Sequence, residues 1–354
     1  MDQGELRMKH AAKWFAACIA ATAGYAVTAG VLPAQAATRP QQQLILYSAQ
    51  GYDAAMAQAF QKATGIKVTL VDNSTGTIIA KIEAERSNPH WDVVWFDGDS
   101  TMQALDNQGI LLRNWTPSDV GNYTPLGRSL IARDRSYYPG GVTAAAAIAF
   151  NPKVLPPSLA PHTLQALLSP KLRGMVAMND PSISGPTYPF VAGVLQQMGT
   201  KKGEQFFSAL KANDLHVYRT NTVTLNALLA GRAKVIMIQD SALISSKQQG
   251  SPIDIVYPAS GVYTLPDVLG INKQAPDMAA AKRFVEFVLS KQGQRVMINP
   301  QNGGGDSYYN PVIKGIAPDK ARQQKGIHWV RVNPIWAARV ENSVKTWFHD
   351  HVTV

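Results

Sequence analysis

Cysteine is almost missing: the 354 residues hold one, Cys18. It lies inside an apolar segment near the start. The rest of the chain therefore has no thiol, no disulfide and no thiolate metal site, and must be held together by its core alone. Charge is sparse, at 16% of residues, and no run of Lys and Arg is interleaved with aromatics, which argues against a nucleic-acid partner. Neither a G-x-S-x-G elbow nor an H-E-x-x-H pair occurs, so Ser182 and Ser184 lack the setting of a hydrolase nucleophile. His90, His162, His216 and His328 stand alone, and His349-Asp350-His351 is a terminal tail. Internal repeats, coiled-coil heptads and low-complexity tracts are also lacking. An enzyme is not expected, and no cofactor is called for.

What is present begins with a leader. Lys9, His10 and Lys13 precede the apolar run Trp14 to Leu32, and Ala34-Gln35-Ala36 has the small-residue pattern of a cleavage site, so residues 1–36 read as a secretory signal peptide, with Met8 as a second candidate start. An exported, periplasmic chain follows. The formal charge is +10, and the three basic and two acidic side chains of residues 1–36 leave about +9 on the remainder, an excess that suits an anionic ligand. With 45% hydrophobic residues the chain is long enough for two lobes.

Periodicity predicts alternating strands and helices. Gln43 to Tyr47 is a buried strand, Asp53 to Ala63 a helix stopped by Gly65, Ile66 to Val71 a strand, Ser74 to about Arg86 a turn and helix, and Val93 to Phe96 a third strand. That alternation predicts an α/β fold with a mostly parallel, doubly wound sheet. Ligands of such sheets sit beyond the carboxyl ends of the strands, which places Ser48, Gln50, Ser74 to Thr77 and Asp97 along one rim. Gly141 to Phe150 reads as a strand crossing to a second lobe of the same style, with Gly174 to Met178 and Lys234 to Ile238 as strands and Asn221 capping a helix. Asp240 and Ser241 stand at the carboxyl end of the last of these. Asp254 to Pro258 and Gly261 to Gly270 form the return crossing, and Tyr309 lies on a late loop that can reach the cleft.

Two stretches place hydroxyls and glycine just before helix-like runs. One is Ser74-Thr75-Gly76-Thr77; the other is Ser182-Ile183-Ser184-Gly185-Pro186-Thr187-Tyr188. Side-chain O–H groups and backbone N–H groups at a helix N-terminus converge on one point, and the helix dipole favours negative charge there. Two such turns, far apart in the chain, predict an anion gripped from both walls of a cleft, with Ser182, Ser184, Gly185, Thr187 and Tyr188 on the second wall. Asp97 and Asp240 would then suit an ammonium.

Leu46 to Gln50, Ala63 to Val68, Trp91 to Trp95, Ser169 to Gly174, Ala275-Pro276-Asp277 and Leu289 to Gln294 resemble, in order, the extracellular solute-binding proteins of ABC importers. The branch is the one that holds ferric-iron-binding and 2-aminoethylphosphonate-binding proteins. The resemblance implies a two-lobed periplasmic binding fold of type II, a ligand trapped between the lobes, and delivery to an inner-membrane ABC permease by a monomer. Lobe 1 is expected over 37–140 plus 258–306, and lobe 2 over 141–257 plus 307–354. It also offers a test of the ligand. The iron binders' His falls at about Gly51, their glutamate at about Asp97, their lone Tyr near Asn179 and their Tyr pair at Asp240-Ser241. With the phenolates gone, a ferric-iron role is the alternative, and a small organophosphorus anion such as 2-aminoethylphosphonate is the expectation.

Overall fold

A computed structural model describes residues 42–302, 307–322 and 326–354, so the expected leader lies outside the described residues. The strands are β1 (Gln43–Ser48), β2 (Lys67–Asp72), β3 (Val93–Asp97), β4 (Tyr137–Ala144), β5 (Ala147–Phe150), β6 (Val176–Asn179), β7 (His216–Tyr218), β8 (Val235–Ile238), β9 (Asp254–Val256), β10 (Val262–Ile271), β11 (Asn310–Pro311) and β12 (Trp329–Val330). The helices are α1 (Asp53–Thr64), α2 (Thr75–Ala84), α3 (Asp99–Asn107), α4 (Pro125–Ser129), α5 (Thr187–Met198), α6 (Thr200–Ala212), α7 (Asn221–Leu229), α8 (Asp240–Gln248), α9 (Met278–Leu289), α10 (Lys291–Met297) and α11 (Pro334–Phe348). Among the described residues no helix is long and apolar enough to cross a membrane.

Two sheets result. The larger runs β11-β4-β10-β3-β1-β2, with β12 paired to β10; the smaller runs β7-β6-β8-β5-β9. β1 is parallel to β2 and β3, and β6 is parallel to β7 and β8, so both sheets carry the expected parallel centre. Antiparallel β10 and β5 join them at the seam between the lobes. The first unit forms as its sequence dictates: Met56, Ala57 and Phe60 of α1 are buried, and Gly65, at φ 73°, ends the helix in the left-handed conformation that glycine adopts without strain. Leu46, Trp95, Phe60 and Phe284 share one core on the larger sheet; Val176, Met237, Phe207 and Phe348 share the main core of the smaller. Each fully buried side chain of this size contributes roughly 1.5–3 kcal/mol.

The crossing differs from the expectation in one respect. Gly141 to Phe150 is not one strand: β4 stays in the larger sheet to Ala144, Ala145-Ala146 make the passage, and β5 opens the smaller sheet. The Ala145 N–H donates to Tyr263 O at 2.8 Å, so the outgoing and returning crossings are tied together. The segment after 306 divides between the lobes. Asn310–Pro311 pairs with β4, and Tyr309, Val312 and Ile313 pack in the larger sheet's core, whereas Ala337, Val344 and Phe348 of α11 pack in the smaller sheet's core.

Candidate functional site

Parallel pairing brings the carboxyl ends of β1 and β3 to one edge, and those of β6 and β8 to another. Loop residues following these strands meet across the seam. Asp97, the last residue of β3, is the hub. Its Oδ1 accepts from Gln50 Nε2 at 3.0 Å and from the Tyr309 hydroxyl at 2.8 Å, and its Oδ2 accepts from Gln239 Nε2 at 3.2 Å. Gln239 Nε2 also donates to the Tyr309 hydroxyl at 2.6 Å. From Gln239 the network continues into the second lobe. Asn221 Nδ2 donates to Gln239 Oε1 at 3.0 Å, and Asn179 Nδ2 donates to Asn221 Oδ1 at 2.6 Å and to Ser184 Oγ at 3.1 Å. The Thr224 hydroxyl closes on Asn179 Oδ1. Gln50, Asp97, Asn179, Gln239 and Tyr309 are buried, so each bond acts at low dielectric, where a satisfied polar network is strong and an unsatisfied one costly.

Among the buried polar atoms with no partner among the described residues are Gln50 Oε1, within this network, and Ser241 Oγ and Ser307 Oγ, close to it in sequence. Ser241 follows Gln239 by two positions, and Ser307 precedes Tyr309 by two. Buried polar groups are nearly always paired, so each of these atoms is a candidate to meet a ligand.

The two hydroxyl-rich turns do face each other, but they touch. The Gly76 N–H donates to Ile183 O at 3.2 Å. A Cβ on Gly76 would lie 2.4 Å from Ser182 O, and one on Gly185 would lie 2.3 Å from Thr75 Oγ1, so only glycine permits this approach. Ser74 Oγ caps α2 by accepting from Thr77 N, and the Thr77 hydroxyl is paired with Ser74 Oγ at 2.9 Å. In this closed arrangement the turns form a seam beside the network, with Thr75, Ser184, Gly185 and Thr187 buried along it and Ser182 exposed.

Three further expected residues have other partners. The Tyr188 hydroxyl donates to Ala337 O, and the Lys345 ammonium lies 5.1 Å from its ring centroid, so this side chain joins α5 to α11 instead of the cleft. Ser48 Oγ accepts the Gln50 N–H at 3.1 Å and thus shapes the loop that presents Gln50. Asp240 was expected as an ammonium partner, but Arg322 holds it in a fully buried pair, Nη1 to Oδ2 at 2.8 Å and Nη2 to Oδ1 at 2.9 Å. Thr143, Ala144 N and Tyr257 donate to the same carboxylate. Its lone pairs are spent on the protein, which is the physical reason the expected ligand contact is not available. Burial, with the Asp240 charge behind it, pushes the Tyr257 phenol up from its ordinary pKa.

Sequence reasoning left out Asn179, Gln239, Thr224 and Arg322. The first two end β6 and follow β8, so the strand-end rule that found Asp97 contained the signal for them. Arg322 carried none, because it arrives from a distant irregular segment. Among the described residues no three of His, Cys, Asp and Glu gather to hold a metal.

Two lobes hinged by paired crossings, with a buried polar network at their contact, define a periplasmic solute-binding protein. Residues 55–327 match the bacterial extracellular solute-binding protein family, and the chain belongs to it. A putative 2-aminoethylphosphonate-binding periplasmic protein of Salmonella paratyphi A is 24% identical over 243 residues, covering 67% of this chain and 68% of that one. Iron uptake protein A1 of Synechocystis is 23% identical over 304 residues, covering 79% of each. Among solved structures, the periplasmic binding protein AfuA of Actinobacillus pleuropneumoniae, with exogenous fructose-6-phosphate bound, superposes with a TM-score of 0.80 at 21% identity, covering 88% of this chain and 99% of that one. The fold is thus the two-lobed type II binding fold, and the protein is the solute-binding component of an ABC transporter.

Proposed function

We propose that this chain is exported by cleavage of residues 1–36, captures a small organophosphorus zwitterion as a monomer in the periplasm, and passes it to its ABC permease. 2-Aminoethylphosphonate is the best-fitting candidate. The observation that carries this reading is the chemistry around Asp97: one carboxylate at the hub, with amides and hydroxyls from both lobes beside it. The carboxylate suits an ammonium. Ser241 Oγ, Ser307 Oγ and the donors of Gln50, Asn221, Gln239 and Tyr309 suit the phosphonate oxygens, charge-assisted bonds of this kind being roughly twice as strong as neutral ones. Thr75, Gly76, Ser184, Gly185 and Thr187 close the cleft over the ligand, and the N-terminus of α8 adds its dipole. The absence of a Tyr pair at Asp240-Ser241 supports this reading over iron.

Thermal denaturation against a ligand panel tests it. At a concentration about a hundred times Kd, 2-aminoethylphosphonate should stabilise the protein by roughly 2.7 kcal/mol. Stabilisation by ferric citrate alone would transfer the assignment to iron, and by hexose phosphates alone to sugar phosphates.

A further inference from the structure

Behind Asp97 lies a second buried carboxylate that the binding network does not use. Asp267 of β10 stands opposite Asp97 in the antiparallel register with β3, and residues so paired share one face of the sheet, with Cα atoms roughly 4.5–5.5 Å apart. Asp267 is fully buried. Its Oδ1 accepts from Trp95 Nε1 at 2.7 Å and its Oδ2 from the Tyr52 hydroxyl at 3.2 Å. β4 runs so close that a Cβ on Gly140 would lie 2.4 Å from Oδ1, and one on Gly141 would lie 2.7 Å from Oδ2 and 3.1 Å from the Tyr309 Cβ. The Tyr52 and Tyr309 rings meet edge to face, centroids 5.7 Å apart. Two touching aromatic rings, those of Tyr52 and Tyr309, therefore link Asp267 to the hydroxyl that binds Asp97.

The groups facing Asp267 are Trp95 and Asp97 from β3, Tyr52 from the start of α1, the Gly140 backbone from β4, and the Tyr309 and Tyr123 rings. Its own hydrogen bonds come from neutral donors, and the charge across the strand is of its own sign. Burying a second negative charge beside a first is costly unless a positive charge arrives with it.

We propose that Asp267 is a specificity-determining residue that keeps its proton while the cleft is empty and releases it when a cationic ligand group settles beside Asp97. The proposal rests on the ammonium assignment above. The proton passes to the solvent buffer, no covalent bond of the ligand changes, and the site's added negative charge matches the ammonium. Burial pushes the Asp267 carboxyl up to about 7, with the Trp95 and Tyr52 hydrogen bonds opposing, so the group changes charge in the working range of pH. A phosphonate without an ammonium gains nothing from that ionisation, so the device separates 2-aminoethylphosphonate from ethylphosphonate.

Titration calorimetry at pH 7, in buffers of different ionisation enthalpy, counts the protons released on binding. The ligand's own phosphonate proton cancels when variants are compared. Wild type and Asp99→Asn, the latter a control for a buried acid elsewhere, should release about half a proton more per 2-aminoethylphosphonate than Asp267→Asn. Preference for 2-aminoethylphosphonate over ethylphosphonate should fall at least about tenfold in Asp267→Asn. Equal proton counts in all three proteins would overturn the proposal. If Asp267→Asn does not fold, the infrared band of protonated carboxylic acid in wild type decides: addition of 2-aminoethylphosphonate at pH 6 should reduce it, and an unchanged band contradicts the proposal. If that ligand gives no binding heat at all, the ligand reading has failed separately. The free proteins then still decide Asp267, because the band at pH 6 must be weaker in Asp267→Asn than in wild type, and equal bands overturn the proposal.

Discussion

Asp97 and Asp240 occupy matching places in the two lobes, each buried where a central strand ends, yet they are engaged by different chemistry. Asp97 receives two amides and a phenol from side chains of both lobes. Asp240 receives a guanidinium in bidentate contact, a threonine hydroxyl, a tyrosine hydroxyl and a backbone N–H. The first arrangement can exchange its neutral donors for ligand atoms at small cost. The second cannot, because any ligand would have to displace a buried counter-charge. Position at a strand end thus marks a candidate, and a buried counter-charge such as that of Arg322 commits Asp240 to the fold.

Removing Arg322 is the strongest way to break that contrast. Arg322→Met strands the buried Asp240 charge and should cost about 3–5 kcal/mol in chemical denaturation. A loss under about 1 kcal/mol would mean that the pair does not hold the hinge. Next in size is Gly76→Ala, whose new Cβ meets the Ser182 carbonyl across the cleft. Overpacking of this kind costs about 1–3 kcal/mol, and here it should fall on closure, weakening ligand binding about tenfold and enlarging the scattering radius of the liganded protein. Unchanged affinity would show that the two turns need not touch.

A pH series sharpens the comparison with a third buried acid. Burial raises the Asp99 carboxyl to about 7, with Arg331 opposing. Because its folded value lies above the ordinary one, its contribution to stability is full below about pH 4 and is lost as pH rises through about 7. Asp99→Asn should therefore remove about 1 kcal/mol per pH unit from the fall in stability between pH 5 and 7, measured by urea midpoints. The smallest effect belongs to Arg173→Ala. Its pair with Asp214, 2.7 Å long, has both side chains more than half exposed, so the change should lie within about 1 kcal/mol.

Much of the fold was legible because its signals are local. The strands and helices from Gln43 to Phe96 and the glycine stop at Gly65 follow from periodicity and capping. The break at Ala145-Ala146 was not legible, since a uniform small apolar run gives no cue that its two halves join different sheets. In the site, Gln50, Asp97, Ser184, Asn221 and Tyr309 come together: Gln50 and Asp97 follow from the strand-end rule, Ser184 from the hydroxyls before a helix and Tyr309 from its late loop, whereas Asn221 was expected as a helix cap, a role that Thr220 takes by accepting from Val223 N. Gln239 and Asn179 stand at strand ends of the same kind, but there the rule was applied to Asp240, Ser241 and the hydroxyls of Ser182 to Thr187 instead of to these amides. The partners of Asp240 and Tyr188 were hidden for a different reason: Arg322 and Ala337 are 82 and 149 residues away in sequence, and nothing local reports such pairings.

The proposed function makes Asp97 the ligand's hub, and calorimetric titration of Asp97→Asn with 2-aminoethylphosphonate tests that most directly. Truncating the charge of a buried hydrogen-bonded pair costs about 2–5 kcal/mol of binding, so affinity should fall at least about thirtyfold while the melting temperature of the free protein holds or rises. Wild-type affinity in Asp97→Asn would contradict the account.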